Sequence, residues 1–221
     1  MIAVMMGAPG AGKGTQAELL ARTYGWKKFS TGEALRRQVK LGTALGKEVE
    51  GILKTGKLVS DGTLFEVVTK ELANHAEGEV VLLDGYPRTL GQAKMLQTLR
   101  QDHPVVAAMY IKVKRQTLIS RLGGREVCED CGAVYHSVSR PPAKEGLCDC
   151  CGKPLSRRRD DEAQQIDTRL KVFADETEPV MGYYDALGLS EYIDGEDSSE
   201  AVFKRVRDRI EKCVPTLATK I

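Results

Sequence analysis

Apolar runs alternate with segments of helical periodicity along most of the chain. The runs cover residues 2–6, 80–83 and 105–111, and a last strand is expected at 191–194. Strands that are buried on both faces of a parallel sheet have this composition, because neither face meets water. The alternation of these runs with helical segments predicts an α/β fold with a central parallel sheet.

The helical segments differ in how regular they are. Apolar residues follow helical spacing from Ala17 until Gly25, and Val202, Val206 and Ile210 share one face of a pattern over residues 199–213. Residues 30–59 also favour helix, but glycines interrupt them at positions 42, 46, 51 and 56. We therefore predict that residues 30–59 form short helices in a small mobile unit outside the sheet.

A glycine-rich loop, GAPGAGKGTQ, covers residues 7–16 between the first strand and the first helix. Glycines let the backbone turn tightly and bring N–H groups to phosphate oxygens, and Lys13 adds a positive charge beside the helix N-terminus. The usual pattern places a magnesium-binding hydroxyl directly after the lysine, but this chain has Gly14 there and Thr15 one place later. The loop predicts polyphosphate binding. The alternative is a glycine-rich turn with a solvated lysine.

A carboxylate, Asp84, ends the second apolar run. The carboxyl ends of parallel strands form the ligand crevice of such sheets, so Asp84 is expected beside the loop, within reach of the shell of a bound magnesium ion. The alternative is a helix cap or a turn aspartate.

Four of the six cysteines form two Cys-x-x-Cys pairs, Cys128 with Cys131 and Cys148 with Cys151. Two such turns can present four thiolates tetrahedrally, which is typical of structural zinc, since no coordination position stays open for catalysis. The surrounding segment is poor in large apolar residues, so a metal is expected to hold its shape. The alternative, a pair of disulfides, needs an oxidising compartment.

The composition is ordinary for an α/β protein of 221 residues, with 42% hydrophobic residues and a net charge of +2 from 33 basic and 31 acidic residues. This balance gives no bulk attraction to nucleic acid or to membranes. No apolar stretch approaches the roughly 18 residues of a membrane span, and the N-terminus lacks the features of a signal peptide. We expect a cytoplasmic monomer without nucleic-acid or membrane partners.

Several separate motifs together resemble the adenylate kinase family, and the resemblance covers nearly the whole chain. Besides the glycine loop they are STGEALR at 30–36, GKLVSD at 56–61, LDGYPRT at 83–89 followed by Gln92, and a basic and acidic set formed by Arg121, Arg125, residues 158–161 and Arg169. The resemblance implies a P-loop three-layer α/β/α fold and reversible, magnesium-dependent phosphoryl transfer from ATP to AMP, giving two ADP. It implies a core of residues 1–29, 60–121 and 160–221, a helical monophosphate-binding domain at 30–59 and a zinc-containing lid at 122–159.

The resemblance also implies the roles of individual residues. The ATP site is expected at Gly10, Ala11, Gly12, Lys13, Gly14, Thr15, Arg121, Arg125, Val134, Tyr135 and Asp197, with Thr15 and Asp84 in the magnesium shell. The AMP site is expected at Thr31, Arg36, Lys57, Leu58, Val59, Gly85, Tyr86, Pro87, Arg88, Gln92, Arg158 and Arg169. The groups expected to act on the transferring phosphoryl are Lys13, Arg88, Arg125, Arg158 and Arg169. Their charges suit a reaction that needs alignment and neutralisation more than covalent chemistry, so the three histidines need no catalytic role.

The chain departs from the family pattern at a few positions. Glu33 stands where aspartate is usual, Tyr86 replaces a common phenylalanine, Ser139 lies near another phenylalanine position, and Asp197 replaces an expected lysine. The last two bear on how the base of ATP is held.

Two other functions stay open at this stage. A kinase for CMP, UMP or GMP would share the loop, the arginines and the lid, and would differ mainly at Thr31, residues 57–59 and Gln92. A P-loop ATPase of another class would use the four-cysteine module and the arginines at 157–159 to hold nucleic acid. Asp160 and Asp161 argue against the second, because they would repel a phosphate backbone.

Overall fold

The structure, a computed structural model, describes residues 1–76 and 78–214. Residue 77, the side chain of Arg159 and residues 215–221, which end the predicted core, lie outside the described residues. In chain order the elements are β1 (Ile2–Met6), α1 (Lys13–Tyr24), β2 (Lys27–Ser30), α2 (Thr31–Lys40), α3 (Ala44–Thr55), α4 (Asp61–Leu72), β3 (Val81–Asp84), α5 (Leu90–Gln97), β4 (Val105–Lys112), α6 (Arg115–Gly123), β5 (Arg125–Cys128), β6 (Val134–His136), β7 (Leu155–Ser156), a 3-10 turn (Arg159–Asp161), α7 (Ala163–Val172), a π-helical turn (Phe173–Thr177), α8 (Val180–Ala186), β8 (Ser190–Asp194) and α9 (Ser199–Cys213).

The central strands form a parallel sheet in the order β2-β3-β1-β4-β8. Met5 of β1 pairs with Asp84 of β3 on one side and with Met109 of β4 on the other. The carboxyl ends of these three strands therefore meet at one edge of the sheet. The predicted α/β fold with a central parallel sheet is confirmed.

Side chains alternate across this sheet and enter two apolar cores. In β1, Ile2, Val4 and Met6 join one core, whereas Ala3 and Met5 join the other. Helices α4, α5 and α8 pack on the first face, and α1, α6, α7 and α9 pack on the second. Burial of both faces explains why the strand sequences are continuously apolar. No helix within the described residues is long and apolar enough to cross a membrane.

The apolar pattern does not predict β2. This strand lies at the edge of the sheet, where it pairs with β3. Its sequence, KKFS, carries a single large apolar residue, Phe29, and Lys27 is exposed. A strand with one paired side and partial exposure does not need the apolar composition on which the prediction rests.

Helices α2 and α3 pack closely against each other in the segment expected to hold short helices. The positions of two glycines differ from the prediction, because Gly46 and Gly51 lie inside α3 and do not interrupt it. A Cβ atom on Gly46 would lie 2.1 Å from the carbonyl oxygen of Gln38, so this glycine lets the two helices approach. Gly42 and Gly56 do mark turns, with φ of 64° and 72°.

The cysteine-rich segment forms a small antiparallel sheet of its own in the order β6-β5-β7. Its buried cluster consists of Cys128, Tyr135 and Cys148, with Ala133 and Leu155 packed against it. So small an apolar cluster stabilises little structure by itself, which gives the cysteines a large share in holding the segment.

Candidate active site

The glycine loop leaves β1 at the carboxyl edge of the sheet and enters α1 at Lys13. Gly7, Gly10 and Gly12 have φ of 138°, 85° and 96°, a region that other residues rarely adopt. A Cβ atom on Gly7 would also lie 2.6 Å from the carbonyl oxygen of Ile111. Gly12 caps α1 and, within the described residues, no side chain caps this helix end. The first N–H groups of α1 are therefore free to bind an anion.

Lys13 turns back into this loop, and its Nζ donates to the carbonyl oxygens of Gly7 at 2.7 Å and Ala8 at 2.9 Å. Burial lowers the pKa of Lys13 to about 8, although nearby Asp84 opposes the shift. The charges of Arg88, Arg169 and Arg125 lower it further. The donor loop and the arginines of the predicted acceptor and lid regions thus share one electrostatic site.

Asp84 lies at the end of β3 beside the start of α1. A Cβ atom on Gly14 would lie 3.2 Å from Asp84 Oδ2. The glycine after Lys13 therefore leaves room for a carboxylate where the general loop pattern has a hydroxyl side chain. Asp84 and the loop are direct neighbours, so an ion held by the loop phosphates would lie near this carboxylate.

On the acceptor side, Thr31 and Arg88 converge on the backbone of Gly85. Thr31 Oγ1 donates to the carbonyl oxygen of Gly85 at 2.9 Å, and Arg88 Nε donates to the same oxygen at 2.8 Å. Gly85 has φ of 83°, and a Cβ atom on it would lie 2.8 Å from Arg88 Nη2. A glycine at this position is therefore required for the guanidinium of Arg88 to lie where it does.

A cavity of about 60 Å³ lies between the helices of residues 30–59 and these groups. Its lining includes the predicted residues Thr31, Arg36, Lys57, Leu58, Val59, Arg88 and Arg169. The lining residues that were not predicted as site residues are Gly32, Leu35, Leu53, Gly56, Leu64 and Asp160. Gly32, Leu35, Gly56 and Asp160 lie within the motifs of the resemblance, whereas Leu53 and Leu64 are marked in the sequence only by the apolar periodicity of α3 and α4. A cavity of this size holds a few water molecules and is too small for a nucleotide unless the lining elements move apart.

A larger surface groove of about 450 Å³ lies elsewhere, lined by Lys94, Gln97, Thr98, Arg100, Gln101 and Tyr183. It has no glycine loop and no convergent carboxylate. Size alone does not make it the site, whereas the small cavity brings together phosphate-binding groups from several elements.

A carboxylate paired with two arginines lies between α7 and the small antiparallel sheet. Asp161, whose side chain is 2% exposed, accepts from Arg125 Nε and Nη2 at 2.6 and 2.5 Å. Arg169 Nη1 donates to Asp161 Oδ1 at 2.5 Å and lies 3.2 Å from Asp160 Oδ2. Bidentate pairing fixes the guanidinium plane of Arg125, whereas Arg169 is held through its Nη1 atom alone. The predicted acidic companions of the arginines therefore orient them.

The remaining arginines of the site are crowded. Burial, then repulsion by Arg36 and Arg125, lowers the pKa of Arg158 to about 9. Burial also lowers the pKa of Arg36 and brings that of Arg88 to about 10. Burial of Asp160 opposes its ionisation, but the neighbouring arginines outweigh this effect and lower its pKa. Such a concentration of cations is suited to a polyanionic ligand.

Arg121 of α6 contacts the loop after β8, where the base of ATP is expected to bind. Its Nη2 donates to the carbonyl oxygen of Gly195 at 2.9 Å and lies 3.5 Å from that of Asp197. The side chain of Asp197 pairs instead with Arg205 on α9. The acidic side chain found in place of the usual lysine is thus used within the protein.

The stretch Val134-Tyr135-His136 forms β6, and two of its side chains have structural partners. The hydroxyl of Tyr135 lies 3.5 Å from Cys148 Sγ and accepts from the backbone N–H of Asp149 at 2.8 Å. His136 Nδ1 accepts from the N–H groups of Val138 and Ser139, each at 3.1 Å. These contacts join both side chains to other residues of the cysteine-rich segment and not to the phosphate loop.

Other predicted acceptor residues do not line the cavity. Tyr86 is buried in the apolar core, and its hydroxyl donates to the carbonyl oxygen of Gln92 at 3.3 Å. The side chain of Gln92 is enclosed beside the backbone of Arg88. Gly85, Pro87 and Arg158 are also absent from the described lining.

The sulfur atoms of Cys128, Cys131, Cys148 and Cys151 all lie within 4.8 Å of one another, and the nearest pairs are 3.4 Å apart. A tetrahedral zinc ion with Zn–S bonds of about 2.3 Å requires sulfurs about 3.8 Å apart, so this group fits zinc. The cysteines are free thiols, which disagrees with the disulfide alternative. The hydroxyl of Tyr135, with backbone N–H groups, lowers the pKa of Cys148 to about 6, whereas burial and the neighbouring thiols raise the pKa of Cys131. Cys150 is exposed and outside this group.

Comparison with known proteins agrees with these features. A model of the family described as adenylate kinase matches residues 5–189. The chain is 39% identical over 207 residues to the adenylate kinase of Geobacillus sp. (strain WCH70), covering 93% of this chain and 96% of that protein. It is 41% identical over 207 residues to that of Bacillus pumilus (strain SAFR-032), covering 93% and 95%. It is 37% identical over 206 residues to that of Methanosarcina mazei, covering 92% and 95%. The chain belongs to the adenylate kinase family.

Family membership confirms the predicted family and the predicted class of enzyme, a nucleoside monophosphate kinase. A nucleotide-binding transferase also accounts for the loop, the acceptor cavity and the oriented arginines with one activity. The zinc-ribbon ATPase of another class is therefore set aside.

Proposed function

We propose that this adenylate kinase family member transfers the terminal phosphoryl group of ATP to AMP, reversibly and with magnesium, to give two ADP. The observation that carries the proposal is that Lys13 of the donor loop lies in the electrostatic field of Asp84, Arg88, Arg125 and Arg169. Donor and acceptor groups thus converge at one edge of the sheet. Two phosphate chains that meet there are neutralised together, as phosphoryl transfer requires.

On the donor side, backbone N–H groups of residues 10–15 and the Nζ atom of Lys13 hold the phosphates of ATP. When nucleotide enters, phosphate oxygens replace the carbonyls of Gly7 and Ala8 as partners of Lys13. Arg121 and the backbone near Asp197 hold the base and ribose, joined by Val134 and the backbone of Tyr135. Asp84 and Thr15 would orient the water shell of a magnesium ion bound with the nucleotide, and the ion would supply charge neutralisation.

On the acceptor side, Arg36 and Arg88 hold the phosphate of AMP, and Thr31, the segment 57–59 and Gln92 surround its base and ribose. Gly85, Tyr86 and Pro87 shape the backbone that carries Arg88. The lid arginines Arg125 and Arg158, with Arg169, stabilise the charge that spreads over the transferring phosphoryl group. Their planar forks are oriented before substrate arrives, because Asp161 already holds Arg125 and Arg169.

The four cysteines bind a structural zinc ion in this proposal. The sulfur group fits the ion, and four thiolates leave no open position for catalysis. The lid keeps its shape through the metal, while the reaction takes place at the phosphate loop.

We further propose that the protein is a cytoplasmic monomer that binds small nucleotides and neither nucleic acid nor membranes, as its balanced charge suggests.

The test is a screen of AMP, CMP, UMP and GMP as acceptors with ATP and magnesium, in a coupled assay that detects ADP. AMP should give the highest kcat/KM. A ten-fold difference corresponds to only about 1.4 kcal/mol, so the screen must compare kcat/KM and not single rates. A better acceptor than AMP would contradict the proposed substrate and leave the family assignment intact. Single-stranded DNA and RNA serve as controls and should not change ATP turnover.

A further inference from the structure

A closed ring of hydrogen bonds joins the start of α4 to the start of α5. Gln92 Nε2 donates to Asp61 Oδ1 at 2.8 Å, and Thr89 Oγ1 donates to Asp61 Oδ2 at 2.9 Å. The backbone N–H of Gln92 donates to Thr89 Oγ1 at 3.1 Å and closes the ring. Gln92 Oε1 in turn accepts from the backbone N–H of Arg88 at 2.7 Å.

These partners fix the orientation of the Gln92 amide. The backbone N–H of Arg88 is a donor only, so it must face Oε1, and the carboxylate of Asp61 accepts, so it must face Nε2. A flipped amide would set donor against donor at Arg88 and oxygen against oxygen at Asp61. Gln92 is 0% exposed, so water cannot relieve either mismatch, and unpaired buried groups are costly.

The ring leaves the Gln92 amide with one proton and one lone pair that have no partner among residues 1–76 and 78–214. Purines differ in the order in which they present a donor and an acceptor. Adenine has a donor at position 6 and an acceptor at position 1, whereas 6-oxopurines such as guanine and hypoxanthine have the reverse order. An amide that can flip pairs with either edge, but an amide of fixed orientation pairs with one.

We propose that Asp61 is a positioning residue that increases the selectivity of the acceptor site for adenine over 6-oxopurines, because together with the backbone N–H of Arg88 it fixes the orientation of the Gln92 amide. The inference rests on the proposed function, in which AMP is the acceptor and Gln92 meets its base. Asp61 itself does not touch the nucleotide. It acts through the amide that it holds.

Gly91 supports this assignment and supplies an independent variant. A Cβ atom on Gly91 would lie 2.4 Å from Asp61 Oδ2, so the ring needs a glycine there. Gly91 lies within α5, where alanine is compatible with the backbone, so Gly91→Ala displaces the carboxylate without removing a polar group. Gly62, next to Asp61 in α4, has nothing within 4 Å of its virtual Cβ, and Gly62→Ala is therefore a matched control.

The experiment measures kcat/KM for AMP and for IMP, with ATP, in the wild type, Asp61→Asn, Gly91→Ala and Gly62→Ala. IMP reverses the groups at positions 6 and 1 and lacks the 2-amino group of GMP, so the comparison isolates the edge that the amide reads. Asparagine can turn its NH₂ group toward Gln92 Oε1, which removes the oxygen-against-oxygen mismatch and leaves the backbone N–H of Arg88 as the remaining group that opposes a flipped amide. We expect the IMP-to-AMP ratio to rise on the order of ten-fold in Asp61→Asn and Gly91→Ala, and to stay at the wild-type value in Gly62→Ala.

A purely structural role for Asp61 would lower kcat/KM for AMP and IMP in equal proportion. An unchanged ratio in Asp61→Asn and Gly91→Ala, with normal AMP turnover by the wild type, therefore overturns the inference alone. A wild type that prefers IMP or a pyrimidine monophosphate overturns the proposed function instead. If Asp61→Asn does not fold, Gly91→Ala decides the matter, because it keeps every member of the ring.

Discussion

At the scale of single residues, the site consists of cations whose charge the folded protein disfavours. Burial lowers the pKa of Lys13 to about 8, that of Arg88 to about 10 and that of Arg158 to about 9. Desolvation and mutual repulsion raise the free energy of the protein without nucleotide, and arriving phosphates relieve both. Affinity for polyphosphate and residual instability of the site therefore have the same physical origin.

The pKa of Lys13 predicts how activity depends on pH. Free enzyme should lose phosphate affinity as Lys13 loses its proton, so kcat/KM should fall above about pH 8. Bound phosphates stabilise the charged lysine, so kcat should fall only at higher pH. Lys13→Arg, which stays charged, should lack the inflection near pH 8. Identical pH profiles for kcat and kcat/KM in the wild type would contradict the shift.

The same pKa shift has a consequence for stability. Unfolded lysine has a pKa of about 10.4, so Lys13 opposes folding fully below about pH 8. That opposition disappears as pH rises from about 8 toward 10.4, because the folded state then binds fewer protons than the unfolded state.

Arg88 should matter for turnover far more than for folding. Its guanidinium is placed by the Gly85 carbonyl and lines the acceptor cavity, outside the apolar cores. Arg88→Ala should lower kcat/KM on the order of 10² or more, as for other preorganised charges, with little change in thermal midpoint. Arg88→Lys should recover little, since a point charge cannot replace a bidentate fork. Arg100→Ala, at an exposed position on the surface groove, is the control and should turn over normally.

At the scale of elements, an exposed ion pair links α2 to the turn between Cys128 and Cys131. Lys40 Nζ lies 2.7 Å from Asp130 Oδ1 and 3.3 Å from the carbonyl oxygen of Glu129. Exposed pairs contribute roughly 0.2–1 kcal/mol, so this contact cannot hold the fold, but it can favour the approach of two elements that, in the proposed function, close over bound nucleotide.

Charge reversal tests this link. Lys40→Glu places two carboxylates together and should raise KM for both nucleotides by about two- to five-fold, which corresponds to roughly 0.5–1 kcal/mol. The double variant Lys40→Glu with Asp130→Lys should restore the wild-type KM. Lys47→Glu, at an exposed position on α3, controls for net charge. If Asp130→Lys does not restore the KM of the Lys40→Glu variant, the effect does not arise from this ion pair.

A helix or strand can be predicted from the sequence when the pattern that causes it lies within its own residues. The strand at 81–84 and the helix at 199–213 were predictable, because burial on both faces of the sheet and a single apolar helix face leave direct patterns. The edge strand β2 and the continuity of α3 through Gly46 were not, because they depend on pairing with β3 and on contact with Gln38.

The same distinction applies to the site. The loop around Lys13 is contiguous in sequence and carries its own geometry. The ring that joins Asp61 to Gln92 spans 31 positions, and the pair of Lys40 with Asp130 spans 90, so no local pattern encodes them. The contact between the Tyr135 hydroxyl and Cys148 Sγ spans 13 positions and likewise leaves no local pattern in the sequence.

At the scale of the whole molecule, the proposed metal site and the proposed catalytic site belong to separate parts of the chain. The cysteine group lies in the small antiparallel sheet, whereas the phosphate loop and Asp84 lie at the edge of the parallel sheet. The first residue of β5, Arg125, follows α6 in sequence and pairs with Asp161, which also holds Arg169 of α7. Loss of the metal should therefore affect the positioning of Arg125 before it affects the loop.

Removal of zinc should loosen the lid and leave the core folded. Coordination in isolated structural sites contributes about 10–16 kcal/mol of apparent binding energy, far more than the small cluster around Tyr135 can supply. Chelation, or the double variant Cys128→Ser with Cys131→Ser, should lower the thermal midpoint and leave residual activity at low temperature, because the loop and acceptor cavity do not depend on the metal.

Cys150→Ser is the matched control from the same segment and should melt as the wild type does. Elemental analysis of protein purified under reducing conditions should find one zinc per chain. An unchanged thermal midpoint in a metal-free sample would contradict a structural role for zinc. Activity that follows the ionisation of a zinc-bound water would indicate a catalytic role instead.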